Sequence, residues 1–162
     1  PDGRILICGT FTTIGGVPRP SLARLESSGV LDNGFLPVGL SGNVVALDRM
    51  ADGKIVVGGF FVHGGNARAV SRMDAAGATD ATFTGPAADA IVRALVVQPD
   101  GKVVIAGDFS NVGGVARSRV ARLNSNGSLD PGFAAARGAC IGSATWTSSW
   151  MRRGDRRPCS GP

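Results

Sequence analysis

One histidine, three cysteines and a recurring aspartate are the residues of this chain whose types could do chemistry. A nucleophile–base pair sets a Ser, Cys or Thr beside a His, Lys or carboxylate. With His63 as the only histidine, neither a His-based metal site nor a Ser-His-Asp arrangement is expected. His63 reads as a polar loop residue, at the place held by Thr13 and Asn111 in neighbouring stretches. Cys8, Cys140 and Cys159 are an odd, sparse set without metal-ligand spacing, and they are not the even, dense set of a disulfide scaffold. Cys8 stands where Gly58 and Ala106 stand elsewhere, and it reads as a small buried residue on a strand.

The acids need closer weighing. Asn124-Ser125-Asn126-Gly127-Ser128-Leu129-Asp130 resembles a short calcium loop, with oxygen donors at alternating positions, a glycine and a later acid. The counterparts from Glu26 to Asp32 and from Asp74 to Asp80 lose the middle oxygen donor. A glycine turn followed by an Asp that caps backbone N–H groups accounts for all three. Asp2, Asp52 and Asp100 each precede a glycine and belong to hairpins. Arg24, Arg72 and Arg122 could form a ring of donors, but an exposed strand face with local Asp partners is expected. No glycine stretch follows a strand and opens a helix, so the Gly-Gly pairs are not phosphate cradles. No catalytic, cofactor-binding or metal-binding residue is expected, and no cofactor; a ligand-binding set is not assignable from these residues.

These residues recur because the chain is built from three copies of one unit. The copies are PDGRILICGTFTTIGGVPRPSLARLESSGVLDNGF from Pro1, ADGKIVVGGFFVHGGNARAVSRMDAAGATDATF from Ala51, and PDGKVVIAGDFSNVGGVARSRVARLNSNGSLDPGF from Pro99. Gly3, Gly53 and Gly101 match, as do Phe11, Phe61 and Phe109, then Arg24, Arg72 and Arg122. Asp32, Asp80 and Asp130 continue the register, and Phe35, Phe83 and Phe133 close it. Repeats of this length signal solenoids or propellers.

Short Val- and Ile-rich runs flank each Asp-Gly: Val44–Leu47 and Ile91–Val97 before it, Ile5–Ile7, Ile55–Val57 and Val103–Ile105 after it. Bounded by turns, they predict buried strands paired as antiparallel hairpins. The Phe of each Gly-x-Phe step is expected to pack between neighbouring units. A third strand is predicted at Leu22–Leu25, Val70–Met73 and Val120–Leu123, half exposed, with Ser or Ala and Arg on the outer face. With a short fourth segment, each unit would make one four-stranded propeller blade.

The predicted fold is therefore all-β, a repeat protein of β-propeller blades, three of them making a partial propeller. The blades span about 1–43, 44–90 and 91–135, within a propeller region over 1–135. Asp48, Arg49 and Met50 replace Val96, Val97 and Gln98, which predicts poorer strand packing in the second copy.

The linked motifs from Pro99 to Phe133 resemble the Delta-60 repeat, a bacterial β-propeller repeat, and the resemblance extends over residues 1 to about 135. It implies a large, modular bacterial protein, secreted or attached to the cell surface, without an established activity. Kelch repeats of similar period add a Tyr and a Trp to each unit; this chain has no Tyr, and Trp146 and Trp150 lie outside the repeats.

After Phe133 a further Val- and Leu-bearing strand is due, yet residues 136–162 carry both Trp, two Cys and five of the Arg instead. A shifted reading frame or premature end of the coding sequence is one reading; a poorly ordered extension that blunts the last blade is the other. Arg153-Gly154-Asp155 spells an integrin-binding tripeptide and is read as a chance occurrence in an Arg- and Gly-rich tail. The same tail explains the net charge of +5: residues 1–133 hold 12 basic against 11 acidic side chains. A nucleic-acid partner is therefore not expected. No apolar run approaches the length of a membrane span. Because Pro1 already lies inside a repeat, a fragment or processed product is expected, with localisation resting on the resemblance alone.

A non-enzymatic interaction or structural module is the expected function, with a protein or polysaccharide partner. A fragment of a propeller enzyme whose active-site residues lie outside this chain is one alternative; a calcium-stabilised adhesion-type propeller is another. Open blade faces and strand edges predict self-association.

Overall fold

Two things shape the backbone: β-branched runs too short for a helix, and a glycine at each reversal. The computed structural model describes residues 3–133, and every element among them is a strand. Asp2, Cys140, Cys159, the tryptophans and the Arg-Gly-Asp tripeptide lie outside the described residues. No helix among the described residues is long and apolar enough to cross a membrane.

In the first repeat β1 (Ile5–Cys8) pairs antiparallel with β4 (Leu22–Leu25), while β2 (Thr13–Ile14) and β3 (Val17–Pro18) form a small hairpin around Gly15-Gly16. The second repeat is a sheet of β5 (Leu40–Arg49), β6 (Ile55–His63) and β7 (Asn66–Met73), in that order. The third pairs β8 (Val92–Val97) with β9 (Val103–Gly107) and β9 with β12 (Val120–Leu123). Its own small hairpin joins β10 (Asn111–Val112) to β11 (Val115–Ala116).

The Asp-Gly hairpins form as expected. Met50 N–H donates to the Lys54 carbonyl at 2.8 Å and Gly53 N–H to the Met50 carbonyl at 3.0 Å, with Gly53 at φ +87°. That is a three-residue hairpin loop whose last position needs glycine. Gln98, Gly101 and Lys102 repeat it.

Three expectations need correction. The fourth strand shrinks to single bridges, Leu25 to Leu31, Met73 to Thr79 and Leu123 to Leu129. The third strand is more buried than expected: Ala23, Ser71 and Ala121 on its supposed outer face are all buried, although Val120 and Arg122 of β12 stay partly exposed. The second repeat also packs without loss, since β5 continues through Asp48 opposite Val56 and Arg49 opposite Ile55. Asp48 accepts the Val97 N–H from β8 at 2.9 Å, so this acid joins two repeats rather than loosening one.

The core lies between repeats, not within them. One cluster joins Leu22 and Phe35 to Leu40, Val44, Ile55 and Phe61; the other joins Val56, Val70 and Phe83 to Val92, Ile105 and Leu123. Phe61 and Phe109 are buried as expected, whereas Phe11 is half-buried. Fully burying such a side chain stabilises by about 1.5–3 kcal/mol, so a lone repeat forfeits most of its core.

Gly-x-Phe has a steric cause. β5 and β8 each bulge opposite this step, at Val45 and Arg93. A Cβ on Gly59 would sit 2.0 Å from the Asn43 carbonyl oxygen, and one on Gly107 would sit 2.1 Å from that of Ile91. No side chain fits there.

Candidate functional site

The recurring Arg, Asp and Phe converge on one arrangement, built three times. The Asp follows the turn after the third strand. Its Oδ1 accepts a backbone N–H two residues on, from Gly34, Thr82 or Gly132, at 2.8–2.9 Å. Its Oδ2 accepts Nε–H of the strand's Arg, at 2.7 Å for Arg24–Asp32, 2.9 Å for Arg72–Asp80 and 3.0 Å for Arg122–Asp130. The guanidinium then lies over the recurring Phe, with ring centroids 4.9, 4.8 and 4.7 Å away at Phe35, Phe83 and Phe133. A cation over an aromatic face adds about 0.5–2 kcal/mol, more as water is excluded.

The basic residue of the Asp-Gly-Lys/Arg turn completes the set. Lys54 Nζ lies 3.1 Å from Asp80 and Lys102 Nζ 3.2 Å from Asp130, while Arg4 Nε lies 3.6 Å from Asp32. Arg24 hydrogen-bonds Asp32 and, against the opposing effect of burial, holds its carboxyl below the ordinary carboxylate range, helped by the Gly34 N–H and Arg4. The Thr82 hydroxyl is the main cause of a larger lowering at Asp80; its N–H, Lys54 and Arg72 add to it against burial. At Asp130 burial pushes upward, and Lys102, the Gly132 N–H and Arg122 together outweigh it. These carboxylates are held ionised and fully engaged. That is unlike a general acid, which needs a raised pKa and a free face.

Two of the three Arg also reach out of their own repeat. Arg24 Nη1 donates to the Ala75 carbonyl, and Arg72 Nη1 to the Ser125 carbonyl at 2.7 Å. Both acceptors lie in the glycine turn of the following repeat. Beside them Leu36 N–H donates to the Ala76 carbonyl at 2.9 Å and Thr84 N–H to that of Asn126 at 3.0 Å. The Arg side chains are accordingly 13% and 7% exposed, which corrects the exposed face expected for them, while their local Asp partners are as expected.

The loop that resembled a calcium site is occupied by its own chain. Asn126 Oδ1 accepts the Ser128 N–H and hydroxyl, Asn124 Nδ2 donates to Ser128 Oγ, and Asp74 Oδ1 accepts the N–H groups of Ala76 and Ala78. Among the described residues no three His, Cys, Asp or Glu side chains gather as a metal set.

His63 is not a loop residue. It ends β6 opposite Asn66, as Ile14 faces Val17 and Val112 faces Val115, because the second repeat is one residue shorter before its Gly-Gly pair. Buried there, Nδ1 lies 2.7 Å from Ser71 Oγ and Nε2 2.8 Å from Thr79 Oγ1. The equivalent positions are apolar in the other repeats: Ala23 and Ala121 for Ser71, Leu31 and Leu129 for Thr79. Burial, followed by the Arg68 cation, depresses the imidazole pKa. A Ser–His contact of this length could serve a nucleophile, but Ser71 and His63 are both buried and the third partner is a hydroxyl rather than a carboxylate. It is an internal polar network. Cys8 is half-buried against the first inter-repeat cluster, and burial raises its thiol pKa, the reverse of an activated cysteine.

The other end of the repeats differs from one copy to the next. The middle residue of Gly-x-Phe is Thr10, Phe60 or Asp108, and all three are exposed. Asp108 pairs with the bulge residue Arg93, while Phe60 is 59% exposed. Phe60 and Val62 border a cleft of about 250 Å³ shared by Ser41, Arg68, Ala87 and Ala88.

The model of a family described as a domain of unknown function (DUF5122) beta-propeller matches residues 1–35, 51–83 and 98–133. The chain belongs to this family. The stretches that match the DUF5122 propeller run from each Asp-Gly turn to the recurring Phe, and so contain the whole Lys/Arg–Asp–Arg–Phe arrangement. No curated protein and no solved structure matches the chain.

Proposed function

We propose that the chain is a non-enzymatic β-propeller module, serving interaction and structure within a larger bacterial protein that is secreted or displayed on the cell surface. The supporting observation is a division of labour along each blade. The charged residues that recur in all three copies are paired with one another at the Asp-Gly end, where Arg24 and Arg72 also join one blade to the next, and the residues that differ are exposed at the Gly-Gly end. Such a body is a rigid platform with variable contacts. The bacterial, surface-exposed setting rests on the likeness of Pro99–Phe133 to the Delta-60 repeat.

The partner proposed is a protein or a surface polysaccharide that meets the Phe60–Val62 edge. Titrating the immobilised chain with purified bacterial surface polysaccharides and surface proteins tests this. Saturable binding that Phe60→Asp weakens at least tenfold is the expected result. Binding that no substitution at the Gly-Gly end alters, or turnover of a bound polysaccharide, would overturn the reading.

A further inference from the structure

The second repeat is flanked on both sides by another repeat, yet Phe60 stays 59% exposed on it and Val62 39% exposed. Across β5 and β6, Phe60 stands opposite Asn43 and Val62 opposite Ser41, and both polar partners are exposed as well. Residues directly opposite in a sheet share a face. One small patch therefore carries an aromatic ring and an aliphatic side chain beside an amide and a hydroxyl.

The patch borders the cleft of about 250 Å³ that Phe60, Val62 and Ser41 share with Arg68, Ala87 and Ala88. Arg68 donates from Nη1 to the Gly85 carbonyl at 2.8 Å. Arg24, Arg72 and Arg122 each sit on an Asp, but no carboxylate among the described residues pairs with Arg68. The two acids at this end of the repeats are engaged elsewhere: Asp89 accepts the N–H groups of Ser110 and Asn111, and Asp108 meets Arg93. A guanidinium carries five N–H donors in a fixed fork, and one carbonyl leaves most of that fork to a group from outside.

Ring, cation and cleft size together select a ligand. A pyranose has an apolar C–H face that suits Phe60 and Val62, and a rim of hydroxyls that suits Asn43 and Ser41. A carboxylate is an anion that the guanidinium fork takes in two parallel bonds. The cleft is smaller than the roughly 300–1,000 Å³ that encloses a drug-sized ligand, so it seats a single ring of a polymer rather than a folded partner. We propose that this cleft binds a polysaccharide of carboxylated sugars, one uronate ring lying on Phe60 with its carboxylate on Arg68. The proposal rests on the reading of the chain as a non-enzymatic binding module.

Calorimetric titration of the chain with oligogalacturonate, with its fully methyl-esterified form and with single-stranded DNA of equal charge tests this. The acid form is expected to bind saturably, and the ester and the DNA at least tenfold more weakly. Arg68→Gln is expected to weaken the acid form at least tenfold and leave the ester unchanged. Arg68→Lys keeps the charge without the fork and is expected to fall between. Phe60→Ala, at an exposed position, is expected to weaken acid and ester alike, with the circular dichroism spectrum of every variant unchanged. The single histidine gives an independent readout. Burial and then the Arg68 cation depress the His63 pKa, so a carboxylate bound on Arg68 is expected to move its NMR titration upward, and the ester is expected not to. Acid and ester that bind equally, yet still depend on Phe60, would overturn the carboxylate contact and leave the binding module standing. A His63 titration unmoved by the bound acid would do the same. Binding of neither oligomer, or DNA bound as tightly as the acid, would overturn the ligand class. Release of new reducing ends from the oligomer would overturn the non-enzymatic module itself.

Discussion

Arg72 donates from Nη1 to the carbonyl of Ser125, which lies 53 residues further along the chain, while its Nε stays on Asp80 and its face on Phe83. One side chain thereby ties its own strand, its own turn and the next repeat. Its deletion leaves Asp80 to Lys54 and the local Thr82 groups, and leaves the Ser125 carbonyl without its guanidinium. Truncating one partner of a buried charged pair costs about 3 kcal/mol or more. Arg72→Ala is expected to lower the melting temperature by roughly 10 °C, and Arg122→Ala by much less. Equal effects in differential scanning calorimetry would show that the inter-repeat bond carries no weight.

Acid should open the same contacts. Asp32, Asp80 and Asp130 all titrate lower in the folded chain than in the unfolded one. Their contribution is therefore complete above the unfolded value of about 3.9 and fades as pH falls below it. Melting curves should stay level from neutral pH to about pH 5 and decline steeply below about pH 4. Asp80→Asn should flatten that decline more than the other two substitutions, because Asp80 is shifted furthest.

His63 supplies a second, milder slope. Its folded pKa lies below the unfolded value of about 6.5, so stability is full above that pH and is lost as the pH drops beneath it. His63→Gln is expected to remove the slope between pH 7.5 and 5.5. His63→Ala is expected to cost about 1–3 kcal/mol, because the Ser71 and Thr79 hydroxyls lose a buried partner. A wild-type melting temperature that is flat across this interval would contradict the assignment.

Among glycines of one motif the outcomes should differ. Gly59→Ala and Gly107→Ala push a Cβ into a carbonyl oxygen at 2.0 and 2.1 Å, and about 3 kcal/mol of destabilisation is expected. In Gly9→Ala the nearest atom is the Phe11 ring at 3.5 Å, an ordinary contact, so chemical denaturation should shift little.

Calcium is expected to change nothing. Asn126 Oδ1 and the Asp130 carboxylate, the oxygens that would lead such a site, already accept backbone N–H groups, Arg122 and Lys102. A ligand that binds only the folded state raises the melting temperature. A calcium-dependent rise would mean that the turn rearranges around the ion.

Much of this was legible from residues alone, for a physical reason. Gly53, Gly101 and the Val- and Ile-rich runs act through local backbone preference, which sequence displays directly. The reach of Arg24 and Arg72 was hidden because their distant acceptors are backbone carbonyls, and a carbonyl has no letter. The burial of the third strand was hidden too, since alternation at Ala23, Ser71 and Ala121 does not say that a second sheet covers the other face. His63 was misplaced by one missing residue before Gly64-Gly65, a gap that only the β6–β7 register fixes.

In both inter-repeat contacts the guanidinium precedes its carbonyl acceptor in sequence, and this direction matters during synthesis. The Ala75 acceptor emerges 51 residues after Arg24, and the Ser125 acceptor 53 residues after Arg72. A repeat leaving the ribosome thus has its stacked guanidinium ready but nothing to grip until nearly a whole further repeat has been translated. Consolidation must trail elongation by about one unit, so the newest blade is always the loosest and the one most exposed to chaperones and proteases.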